Sequence, residues 1–172
     1  MDKEKIILLI VGAIIGFVVS LAKDWLMEGK KQKEKYKQFK REKLEELYVG
    51  FSKWSNYVSS NKVHLLSVME NKITFNQYFD LHIDAKIKFD AQRNEMILKV
   101  YAESLLLIHE EIMEQLKYMN QIEYDYQKIY NDRGPHSTNK TFIDGIGYYL
   151  TKYEEVSKKF KDGLILEIQK II

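Results

Sequence analysis

The chain has 172 residues, the length of one domain or of one domain with an appendage. Lys and Arg number 27 against 25 Asp and Glu, and a net charge of +2 argues against a dedicated nucleic-acid binder. The absence of cysteine excludes disulfides, a thiol nucleophile and zinc–thiolate centres, while one proline and 8 glycines leave too few breakers for a β-sandwich or a disordered chain and favour helix.

Residues 6–22 read IILLIVGAIIGFVVSLA, 17 residues without a charge. At 1.5 Å per residue this run covers about 25 Å, slightly under a ~30 Å hydrocarbon core. Trp25, Leu26 and Met27 extend it past Lys23 and Asp24, and an indole suits the headgroup level. The sequence thus predicts one transmembrane helix over 6–27, with residues 1–5 as a short stub outside. A cleaved signal peptide is the rival reading, with Ser20 and Ala22 as the small residues before a cut. The length of the run, the balanced charges of Asp2, Lys3, Glu4 and Lys5, and the cationic stretch that follows weigh against it. Gly12, Gly16 and Ser20 stand four apart, a stripe that lets two helix backbones approach, so a homodimer through this face is allowed.

Residues 23–43 carry nine Lys and Arg, whereas residues 1–5 carry two. The positive-inside rule then puts the C-terminal side in the cytoplasm. The net charge is +5 over 23–43 and −3 over 44–172, so the basic block belongs to a juxtamembrane helix over 28–43 alone. Lys23, Lys30, Lys31, Lys33 and Lys37 are candidate contacts to an anionic inner leaflet, each worth roughly 1 kcal/mol close to the surface.

Beyond residue 30 the chain reads as helix with few interruptions. Leu47, Phe51, Trp54, Val58, Asn61, Leu65 and Val68 alternate steps of four and three, a coiled-coil type of seam, and predict a helix over 30–71. Asn71 to Thr74 form a turn, with Thr74 as N-cap of a second helix over 75–94. Met96–Tyr101 reads either as helix or as an extended connector. A third helix over 102–131 carries Leu105, Ile108, Ile112, Leu116, Met119, Ile122, Tyr126 and Ile129 on one face. Residues 132–139 (DRGPHSTN) are a loop dense in turn formers. A fourth helix over 140–171 shows Ile146, Tyr149, Tyr153, Val156, Phe160, Leu164, Ile168 and Ile171 at helical spacing. The expected fold is all-α: one N-terminal transmembrane helix, then an up-down-up-down four-helix bundle over 44–172 in the cytoplasm.

The chemical motifs sought are absent. The residues three before His64, His82, His109 and His136 are Asn61, Phe79, Leu106 and Arg133, so the Glu-x-x-His pattern of di-iron bundles is missing. His109-Glu110-Glu111 lacks the second histidine of a zinc protease helix. Asp80 and Asp84 share a helix face from which His82 points away, so the three cannot chelate together. Glu110, Glu111 and Glu114 read as a solvated face. No phosphate-cradling loop or serine nucleophile motif occurs, so no catalytic, cofactor or metal residue is expected. Tyrosines flank the 132–139 loop, and Tyr126, Tyr130, Tyr148 and Tyr149 are candidates for a protein-binding surface.

The stub, the Gly-containing segment GAIIGFVVSLAKDWL, the Lys-rich helix and the helical remainder resemble in layout a broad class of small bacterial single-pass membrane proteins with a cytoplasmic helical bundle. A composition rich in Lys, Ile, Asn and Tyr fits an AT-rich bacterial genome. Some proteins resembling this class occur among phage-defence and prophage genes, and the resemblance implies no activity. The expectation is a non-catalytic interaction or scaffold module at the inner face of the membrane. Its expected partners are anionic lipid and a protein of unknown identity, not nucleic acid. The alternative is a membrane-perturbing effector or toxin triggered by assembly of its cytoplasmic domain.

Overall fold

The computed structural model describes residues 3–82, 90–133 and 139–171, with side chains from Ile15 onward except those of Ala91, Asp132 and Arg133. All regular structure among them is helical: α1 (Lys3–Met69), α2 (Phe75–His82), α3 (Ala91–Tyr101), a 3-10 turn (Glu103–Leu105), α4 (Leu106–Arg133) and α5 (Lys140–Gln169). The chain divides into two compact units, Met1–Glu42 and Lys43–Ile172.

The described part of the first unit is helix, and its side chains show no buried core among the described residues. Every described side chain from Ile15 to Phe39 is exposed. Lys, Glu and Gln favour helix intrinsically, and the Gln38 amide donates to Glu42 Oε1 at 3.0 Å across one turn.

This unit corrects the sequence reading on one point. Among the described residues, no helix is long and apolar enough to cross a membrane. The physical reason lies in the charge spacing. The uncharged run of residues 6–22 is described with side chains only from Ile15 to Ala22, and Lys23, Asp24, Glu28, Lys30 and Lys31 follow within little more than two turns. The transmembrane helix expected over 6–27 is therefore not supported. The side chains of its first part, Gly12 included, lie outside the described residues.

The second unit begins where α1 starts to bury side chains, at Leu44. Leu44, Leu47, Phe51, Trp54, Val58, Leu65 and Val68 all enter the core, and Asn61 is half-buried at its edge. Paired contacts fix the helix directions. Asn61 meets Tyr78 while Tyr57 meets His82, so α1 is antiparallel to α2, and Glu46 meets Arg93 of α3 at 2.6 Å. Phe51 packs on Phe160 and Trp54 on Tyr153, which makes α1 antiparallel to α5. Tyr118 stacks on Tyr149 while His109 faces Phe160, which makes α4 antiparallel to α5.

Local chemistry sets the ends of these helices. α1 ends at Met69, and in the turn that follows Asn71 has a left-handed φ of 58°, a conformation asparagine tolerates better than most residues. The amides of Asn71 and Lys72 then turn back to the Val68 and Ser67 carbonyls. Thr74 and Gln77 form a capping box: the Gln77 amide donates to Thr74 Oγ1, and the Thr74 amide donates to Gln77 Oε1. The single second helix expected over 75–94 is corrected to two, because Asp90 opens α3 by accepting from the Arg93 amide at 3.0 Å. Met96–Tyr101 is the end of α3 and not a connector. Among the described residues, five helices and a 3-10 turn thus replace the expected four. The 3-10 turn lies so close to α5 that a Cβ on Gly163 would sit 2.5 Å from Leu105 Cδ2. The expected loop is described only at Asn139, whose buried amide donates to the Met69 carbonyl at 2.5 Å and ties the start of α5 to the end of α1.

Candidate functional site

The densest polar chemistry of the bundle lies where α1, α2 and α4 meet. Lys62 faces inward because it continues a second buried row of α1, Phe51, Ser55, Val58, Lys62, Leu65 and Met69, again stepping by four and three. Its side chain is 3% exposed, and a charge so placed needs partners. α4 supplies them: Lys62 Nζ donates to Glu123 Oε2 at 2.5 Å and to Asn120 Oδ1 at 2.7 Å. The second oxygen of Glu123 takes the Tyr78 hydroxyl at 2.8 Å, and that hydroxyl lies 3.1 Å from Asn61 Oδ1. Burial, with the Glu123 charge beside it, pushes the Tyr78 phenol far above its ordinary pKa, so it remains a donor.

One turn along α2, His82 packs edge-on to the Tyr78 and Tyr57 rings. Its Nε2 lies 3.1 Å from Nδ1 of His64 on α1. Burial lowers the His82 pKa, His64 and Lys62 lower it further, and Glu123 opposes them. At that distance one ring donates and the other accepts. Asp80 is exposed, and Asp84 lies outside the described residues.

A third histidine, His109 of α4, is 5% exposed and packs against Phe160. Burial lowers its pKa against the pull of Glu95 and Glu110. The unfolded chain takes up this proton near pH 6.5 and the folded chain only at lower pH. Stability is therefore retained above about pH 6.5 and lost as pH falls from there towards the folded pKa. We expect His109→Phe to flatten this acid limb in urea unfolding at stepped pH, by up to about 1.4 kcal/mol per pH unit. An unchanged slope would mean that His109 protonates freely in the fold.

The tyrosines expected to form a partner surface separate into two sets. Tyr126 is 2% exposed and belongs to the core, against Phe75, Tyr130 and Phe142. Tyr130 is half-buried against Phe75. Tyr148 is exposed, and half-buried Tyr149 stacks on Tyr118 of α4. Four candidates of one type thus serve packing at one position and remain open to solvent at another. In the first unit Lys23, Lys30, Lys31, Lys33 and Lys37 are all exposed, as are Gly16 and Ser20, and nothing in the chain lies within 4 Å of a Cβ added to Gly16.

The sequence reading passed over Lys62, Asn120 and Glu123, and weighed His64 only against the di-iron pattern. A local signal existed for Lys62 alone, a lysine inside a heptad-like apolar row. Its partners come from α4, and no local spacing announces them.

The chain matches no protein-family model, no curated protein and no solved structure.

Proposed function

We propose that the chain is a membrane-attached, non-catalytic helical bundle that acts as an interaction and scaffold module at the inner face of a bacterial membrane. The observation that carries this reading is the exposed apolar–basic sequence of the first unit. Phe17, Val18, Leu21, Trp25, Leu26 and Met27 are all more than half exposed, Trp25 at 76%, and exposed lysines follow directly. Apolar surface of this extent marks an interaction site in a soluble setting. Its junction with Lys30, Lys31, Lys33 and Lys37 suits acyl chains on one side and phosphate on the other. In the bundle, Lys62, Glu123 and Tyr78 direct their hydrogen bonds at one another, which supports a structural task for those groups.

Vesicle flotation of the full-length protein tests the reading. It should float with phosphatidylglycerol-containing vesicles and float less well in high salt. Replacing Lys30, Lys31, Lys33 and Lys37 together by Gln should weaken binding by about a hundredfold or more at low salt. Trp25→Ser should weaken binding to anionic and neutral vesicles alike. Recovery at the bottom of the gradient, whatever the lipid, would overturn the attachment. Release of a trapped dye on binding would turn the reading towards a membrane-perturbing effector.

A further inference from the structure

We propose that His64 and His82 form a binding site for a transition-metal dication of the zinc class, which would clamp α2 onto α1. His64 Nδ1 and His82 Nε2 come from different helices and lie 3.1 Å apart. Two imidazole nitrogens on one tetrahedral zinc, each at 2.0–2.1 Å, stand about 3.3 Å from each other. The pair is thus within a few tenths of an ångström of the spacing that a shared cation sets. Both side chains are half-buried, so a hydrated ion has access; His64 stands within α1 and His82 is the last residue of α2.

The metal would take the place of the proton that the two rings share. Neutral imidazole binds metal through its unprotonated nitrogen, so the donating ring moves its proton to its other nitrogen with no net proton loss. His64 would then bind through Nδ1 and His82 through Nε2. The described residues include no group of three or more His, Cys, Asp or Glu able to hold a metal ion, so the two imidazoles alone stand as protein ligands. The surrounding charges are mixed. Glu123 of α4 favours a cation near His82 and Lys62 of α1 opposes it. Since Lys62 and Glu123 are paired with each other, their joint field is small.

The experiment uses the full-length chain with zinc chloride, and with magnesium chloride as the control for charge alone. Zinc at a hundredfold excess over its dissociation constant should raise the melting temperature by roughly 5–10 °C, and magnesium should not. Equilibrium dialysis should find one zinc per chain, and His64→Gln or His82→Gln should each abolish that zinc. A variant-free readout is the imidazole nitrogen resonances of the wild-type chain, which should shift on zinc addition at His64 Nδ1 and His82 Nε2 together. No zinc retained, zinc retained in both single variants, or shifts confined to His109 and His136 would each overturn the proposal.

Discussion

Glu123→Ala should destabilise the full-length protein by about 3–5 kcal/mol, because it strands a buried cation. Lys62 is 3% exposed, and once Glu123 is gone only the neutral Asn120 oxygen faces it. Tyr78 loses its shorter hydrogen bond in the same step. For a chain of this size the melting temperature should fall by roughly 6–20 °C. Lys62→Met should cost less, about 1–2 kcal/mol, because Glu123 retains 24% side-chain exposure and can turn to water. The double variant Lys62→Met, Glu123→Leu should recover most of the loss, since an apolar pair of similar volume needs no compensation. Urea unfolding followed by circular dichroism measures all three. A Glu123→Ala protein within 1 kcal/mol of wild type would mean that Lys62 reaches solvent.

Trp54→Ala should have an effect of the same size by a different route. The indole lies at 9% exposure with its ring 5.8 Å from Phe51 and 6.3 Å from Tyr153, while Phe51 itself packs at 4.6 Å on Phe160. Removing it leaves a cavity between α1 and α5 that these rings cannot fill, and such truncations cost about 3–5 kcal/mol. Against a total of about 5–15 kcal/mol, the folded state would be marginal. Trp25→Ala is the control: that indole is 76% exposed, so the same chemical change should leave the melting temperature of the bundle unmoved. Equal losses at both positions would place Trp25 in a contact that a single chain does not contain.

The bundle core was largely legible in the sequence because helical burial has a period. All the seam residues from Leu47 to Val68 are buried or, at Asn61, half-buried, and Ile112, Met119, Ile146, Tyr153, Val156, Phe160 and Leu164 are likewise inside. The turn before α2 was legible from Thr74, a residue type suited to an N-cap, and Gln77 completes the box in the structure. The start of α3 was missed although Asp90 supplied the same kind of signal, an acidic cap accepting from the amide three residues on. The polar cluster was not legible. Lys62 and Glu123 are 61 residues apart, and nothing local distinguishes Glu123 from the solvated carboxylates of α4. Tyr126 illustrates the limit of residue type as a guide: its place on the apolar face of α4 decided its burial, against the tendency of tyrosine to stay partly wet. The span expected over 6–27 rested on an uncharged run, and in its described part that run is soon broken by Lys23 and Asp24.

The pairing of α1 with α5 also governs what happens while the chain is being made. Phe51 waits for Phe160 and Trp54 for Tyr153, partners that leave the ribosome about a hundred residues later. At roughly 5–20 residues per second that delay is on the order of 5–20 s, far longer than the submicrosecond formation of a helix. Throughout it the part of the inward face of α1 that α5 covers, Phe51 and Trp54 included, is an uncovered apolar strip. α1 can pair with α2 early, but α4 and α5 pair only once both have emerged, so the face between α1 and α5 should be the last to close. Until then the strip is a natural target for a chaperone that holds apolar segments, and the yield of folded protein should depend on such a holder more steeply than the stability of the finished bundle does.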